Sequence, residues 1–89
     1  MIDGCDTEAQ AEVFELIVRE RERQDAKWGW PNAGLAGTNI DRKNTILGEE
    51  VGEVARAILE GDDAGLEAEL VQVAAVCVAW LESRRERDV

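Results

Sequence analysis

The sequence predicts an all-α chain of three helices, and three observations carry that expectation. Apolar residues recur at helical spacing in three separate stretches. Between the first two, the segment 29–37 gathers glycines around the only proline, Pro31, and Gly61 punctuates the remainder. The charges also follow the helix direction, with acids at the start of the third stretch and Arg84, Arg85 and Arg87 at its end, where the helix dipole is negative.

Thr7 and Gln10 make a capping box ahead of Val13, Phe14, Leu16 and Ile17, whose spacing opens a helix over 7–27. Beyond Val18 the apolar stripe yields to charge, so 19–27 reads as a solvated or site-facing extension of that helix. Within it Glu15 with Arg19, and Glu20 with Arg23 or Gln24, read as ordinary exposed helix pairs. The second helix spans 40–60, with Leu47, Val51, Val54, Ala55 and Ile58 in helical register and Gly61 as its stop. Asp62 or Asp63 caps a third helix over 63–85. Its apolar run 70–81 covers almost every angle, with Val71, Val73, Val76 and Val78 on opposite faces, so this helix has to be surrounded. Two other helices cover only part of it. A small chain with little core of its own is therefore expected to form a helical bundle completed by oligomerisation, as a homo-oligomer.

Twenty acidic residues against ten basic ones leave a net charge of −10, which repels nucleic-acid backbone and anionic membrane alike. Divalent cations, or substrates that arrive with them, suit this balance better. The sequence shows no signal peptide or arginine-rich leader, and the run 70–81, interrupted by Gln72, is short for a bilayer span. A soluble, cytoplasmic protein is expected. Cys5 and Cys77 lie far apart and suggest no disulfide framework; Cys77 and Trp80 read as core residues. Histidine is absent, which removes the usual zinc ligand and the Glu-x-x-His pairs of di-iron helical proteins. A metal site built from carboxylates alone favours magnesium, with manganese as the alternative.

Carboxylates are concentrated where such a site could form. Glu49, Glu50 and Glu53 leave one arc of the second helix, and Glu69 follows near the start of the third. Counted from the turn at 61–63, Glu53 lies about eight residues before it and Glu69 about seven after it, so both sit at roughly 11 Å along their helix axes. Two antiparallel helices joined by that turn bring four carboxylates to one height, around one or two hard cations. Magnesium held this way keeps waters and completes its shell with substrate phosphates, so an acidic cleft can bind a polyphosphate. An ordinary solvated helix face remains the competing account of the same acids.

The string Glu49-Glu50-Val51-Gly52-Glu53, a gap of fifteen residues and then Glu69-Leu70-Val71-Gln72 resembles the E-E-x-x-E then E-x-x-D signature of the MazG-like, all-α nucleoside triphosphate pyrophosphohydrolases. Upstream, Glu22-Arg23-Gln24-Asp25-Ala26-Lys27-Trp28-Gly29 resembles the segment before that signature in small phage and bacterial members. The similarity spans about residues 15 to 83. It implies a bundle assembled as dimers or tetramers and magnesium-dependent cleavage of a nucleoside triphosphate to monophosphate and pyrophosphate. It also implies metal ligation by Glu50, Glu53 and Glu69, with Glu49 a ligand or the water-orienting catalytic neighbour. Gln72 stands where the signature has aspartate, and offers a neutral carbonyl oxygen but no charge. That leaves a weakened second metal, a single-metal enzyme, or a chain that binds nucleotide without cleaving it.

The loop position of Trp28, Trp30 and Asn32 allows an indole to stack on a nucleobase and Asn32 to read its edge, against the simpler account of a tryptophan as a lid on the core; the resemblance implies the nucleotide pocket for Trp28, whereas Trp30 reads as a lid on the core or a subunit contact. Arg19, Arg23 and Lys27 recur every four residues; Lys27, beside Trp28, is the phosphate candidate of that stripe, ahead of Arg42 and Lys43. The competing function is a non-catalytic helical oligomer acting as nucleotide sensor or protein-interaction module, which Gln72 and the short chain motivate.

Overall fold

The computed structural model describes residues 7–28 and 40–87, with the side chains of Trp28, Asp41, Glu86 and Arg87 outside that description. The described residues form three α-helices and no strand: α1 (Thr7–Trp28), α2 (Ile40–Glu60) and α3 (Asp63–Arg87). Both α1 and α3 run slightly past the ends expected for them.

The connection between α2 and α3 is set by two residues. Gly61 adopts the left-handed backbone region, at a φ of 68°, which costs a glycine nothing and an L side chain about 1 kcal/mol or more. That turn lets the Gly61 N–H donate to the Ile58 carbonyl at 3.2 Å and the Asp62 N–H donate to the Ala57 carbonyl at 2.9 Å, the paired bonds of a Schellman motif. Asp62 then opens α3. Its Oδ1 accepts the Gly65 N–H at 2.9 Å while its carbonyl accepts the Leu66 N–H at 2.8 Å, so Asp62, rather than Asp63, is the N-cap. A Cβ at position 65 would collide with the capping carboxylate, which explains a glycine in the first turn of a helix.

α3 packs against both α1 and α2, whereas α1 and α2 come nowhere within 8 Å of each other, Cα to Cα, among the described residues. α3 is thus the floor on which two separate walls stand. The buried seam is made of small side chains, Ala57 on α2 and Ala75, Val76 and Ala79 on α3, which allow the helix axes to approach closely. Ser83 continues it, satisfied by donating its Oγ hydrogen to the Trp80 carbonyl at 2.8 Å. Cys77 and Trp80, expected in the core, are only half-buried, because the face of α3 they occupy is incompletely covered by α1 and α2.

A large apolar surface remains uncovered on all three helices. Phe14 is 57 % exposed and Leu59 87 %, and Val13, Val18, Val51, Ile58, Leu70 and Leu81 are exposed as well. The radius of gyration, 14.5 Å, exceeds the about 12 Å of a compact domain of this length. By length and composition alone α3 also satisfies the criteria of a membrane span over Asp63–Arg85, its most apolar 18-residue stretch having a mean hydropathy of 1.5, as core helices of soluble proteins do. The helix itself is longer than the run 70–81 and continues on both sides of it.

Removing the cap should cost about 1 kcal/mol. Asp62→Ala is expected to lower the unfolding free energy by that amount and so move the urea midpoint downward; an unchanged midpoint would show that the cap contributes nothing.

Candidate functional site

The separation of α1 from α2 opens a cleft of about 650 Å³ above α3, within the range of small-molecule sites. From α1 it is lined by Arg21, Arg23, Gln24, Asp25 and Lys27; from α2 by Arg42, Ile46, Glu49, Glu50 and Glu53; and from α3 by Glu69, Gln72, Val76 and Ala79. Glu49, Glu50, Glu53, Glu69, Gln72 and Lys27 therefore share one cavity, as do Arg23 and Arg42. Arg19 does not line it: exposed, it pairs with Glu15 at 3.4 Å and borders a neighbouring groove with Glu20 and Arg23. Lys43 is buried at 2 % exposure and is not among the lining residues. Asn32, Trp30 and the Trp28 side chain lie outside the described residues.

Glu50 sits at the electrostatic centre of the acidic wall. Burial, and after it the charges of Glu69, Glu53, Glu49 and Glu20, hold its carboxyl above the ordinary value of 4.5. Of those charges Glu53 and Glu49 lie on the same helix, Glu69 on α3 and Glu20 on α1. Glu53 is drawn partly aside by its own helix, accepting an ion pair from Arg56 at 3.6 Å. Among the described residues no three Asp, Glu or Cys side chains converge closely enough to hold a metal ion. The donor set nevertheless suits a hard cation: Glu50, Glu53, Glu69 and the Gln72 amide all offer oxygen, and a cation there would relieve the repulsion at Glu50. Drawing those oxygens together requires side-chain rotation within the cleft, including release of Glu53 from Arg56.

The opposite wall is held by a polar network rather than by apolar packing. The Arg21 side chain, 7 % exposed, donates from Nε and Nη2 to Glu82 Oε1 at 3.2 and 2.6 Å, tying α1 to α3. It also donates to Gln24 Oε1 at 3.0 Å and to Asp25 Oδ1 at 3.0 Å. Burial works against its charge, but Glu82 and Asp25 hold the guanidinium above its ordinary value. Gln24, its oxygen engaged by Arg21, turns its Nε2 to Glu20 Oε2 at 3.3 Å.

Glu20 is not the ordinary solvated pair expected of it. Its side chain is 12 % exposed, and Arg23 grips both of its oxygens, Nε to Oε1 at 2.9 Å and Nη2 to Oε2 at 2.7 Å. Bonds from Arg23, opposed by burial and aided by Gln24 and, least, by the Gln72 amide of α3, hold Glu20 below its ordinary value. Sequence reasoning missed Arg21, Gln24 and Glu82 as the wall's fastening. A signal existed: Ile17, Arg21 and Gln24 follow one another at spacings of four and three, so charge continues the apolar stripe on the inner face of α1.

Comparison with protein-family models, with curated proteins and with solved structures found no match to this chain.

Because folding raises the Glu50 value, ionisation of Glu50 weakens the fold: the penalty is absent well below 4.5 and grows as pH rises through that value to the folded one. Metal-free Glu50→Gln should therefore melt above the parent at pH 7, with the gap closing as pH falls below 4.5. Equal melting at pH 7 would contradict the repulsion.

Proposed function

We propose that the chain is a magnesium-dependent nucleoside triphosphate pyrophosphohydrolase of the MazG-like type, with a nucleoside triphosphate as its ligand and a second copy of the chain completing its core. The observation that supports this most is the charge distribution of the cleft: Glu49, Glu50, Glu53, Glu69 and Gln72 line it from α2 and α3, beside Arg42, and Arg23 and Lys27 line it from α1, beside Asp25 and the internally paired Arg21. A triphosphate accompanied by a divalent cation presents the complementary pair of charges, and neither partner alone does.

In this reading Glu50, Glu53 and Glu69, with the carbonyl oxygen of Gln72, hold magnesium. When bound, the ion neutralises phosphate oxygens and orients water beside phosphorus. Glu49, exposed at the solvent edge of the acidic wall, accepts the proton of the attacking water at its carboxylate. The α–β bridging bond then breaks, giving monophosphate and pyrophosphate. Lys27 and the α1 wall bind the departing phosphates, and Ile46, Val76 and Ala79 supply apolar surface at the cleft floor. Trp28 and Asn32 are retained as base-binding candidates from the sequence resemblance. The uncovered apolar residues of α1, α2 and α3 motivate the homo-oligomer, and a nucleotide substrate goes with a cytoplasmic location.

One observation favours nucleotide binding without turnover: an amide at position 72, with no three acids converged among the described residues. The two readings separate in one assay. Incubated with a panel of canonical and modified triphosphates and magnesium, the protein should release monophosphate and pyrophosphate in equal amounts, and Glu53→Gln should slow this on the order of 100-fold or more. Orthophosphate as product, or full rate in Glu53→Gln, would overturn the assignment; tight binding without turnover would establish the sensor.

A further inference from the structure

We infer that Arg23 is an anion-binding residue that receives a phosphoryl group in the cleft, and that Glu20 is the residue that positions it. The inference rests on the phosphate-bearing ligand proposed above and assigns a contact which that reading leaves open.

Arg23 differs from its neighbours on α1 in how its donors are spent. Arg21 is buried and commits its guanidinium to Glu82, Gln24 and Asp25, so its role is to fasten helices. Arg23 is 55 % exposed, lines the cleft, and among the described residues bonds only to Glu20. A guanidinium carries five N–H donors in a rigid fork. Glu20 takes the Nε hydrogen and one on Nη2, which leaves three, two of them on Nη1, with no acceptor among the described residues.

The immobility of Glu20 makes those three donors useful. An exposed arginine on a mobile glutamate gains little, because both side chains must be ordered when a ligand arrives. Here the glutamate is nearly buried in the seam between α1 and α3 and is gripped by Gln24, which is itself fixed by Arg21. The chain Glu82–Arg21–Gln24–Glu20–Arg23 therefore carries the rigidity of the α1–α3 contact out to the cleft edge. A planar fork held in place across from the carboxylate wall matches two oxygens of one phosphoryl group, a geometry that a lysine ammonium does not reproduce.

This arrangement makes an unusual demand of Glu20. Its charge repels a phosphate, so if it acted only through that charge its neutralisation would tighten anion binding. Acting as a positioning residue, it should instead weaken binding when neutralised, because the Arg23 fork is released.

The test is calorimetric titration of the full chain with the non-hydrolysable α,β-imido analogue of dATP in the presence of magnesium. Arg23→Ala should bind about 10- to 100-fold more weakly than the parent. Arg23→Lys should recover only a minor part of the loss, and Glu20→Gln should bind about 3- to 10-fold more weakly. Arg19→Ala, at a residue that does not line the cleft, should bind as the parent does. Unchanged affinity in Arg23→Ala, or tighter binding in Glu20→Gln, with the parent binding normally, would overturn this inference alone. No binding by the parent would overturn the pyrophosphohydrolase and sensor readings and the inference with them.

Discussion

The left-handed backbone at Gly61 is the constraint on which the cleft depends. It ends α2, satisfies the carbonyls of Ala57 and Ile58, and hands the chain to Asp62, whose side chain and carbonyl begin α3. With so short a connection the two helices have no freedom to slide, so residues equally far from the turn face each other. Glu53 and Glu69 are such a pair. The repulsion that Glu69 exerts on Glu50 is the consequence of a turn more than ten residues from Glu50, whereas that of Glu53 comes from helical spacing within α2. An added or deleted residue near Gly61 would move one set of acids by 1.5 Å and about 100° and separate them.

The other wall is governed by different physics. α1 reaches α3 but not α2, and many of its apolar residues, Val13, Phe14, Leu16 and Val18, stay exposed. Its inner face is fastened to α3 by Arg21 on Glu82 and by Glu20 near Gln72. Buried charges are costly unless paired and fully bonded, and this network meets that condition: each of the amides and carboxylates between Glu82 and Arg23 has a partner of the opposite hydrogen-bonding sense. The result is a cleft with an acidic wall set by a turn and, opposite it, a wall of mixed charge set by a bonded chain of side chains. The four buried apolar residues among those described are small, so little hydrophobic free energy is collected between these helices.

Much of this was legible in the sequence because it depends on period and count. The three helices follow from the spacing of apolar residues and from Gly61, and the gathering of Glu49, Glu50, Glu53, Glu69 and Gln72 follows from equal distances to one turn. What was not legible depends on which faces meet. Arg21 and Glu82 are sixty-one positions apart and no local pattern pairs them. Glu20 looks like half of a common surface pair until α3 covers it. Cys77 and Trp80 were read as core from the apolarity of their surroundings, but burial requires a neighbour, and the described helices supply only part of one. Trp28 and Asn32 were read from chain segments whose side chains fall outside the described residues.

The most direct test of the central claim is paramagnetic broadening of backbone amide resonances by substoichiometric manganese. A common ion held between α2 and α3 predicts that the amides of Glu50, Glu53, Glu69 and Gln72 broaden first and together, ahead of those of the equally acidic segment at Glu60, Asp62 and Asp63, and that excess magnesium restores them. Broadening that starts at 60–63, or that spreads evenly over exposed acids on all three helices, would show that the carboxylates do not act as one site.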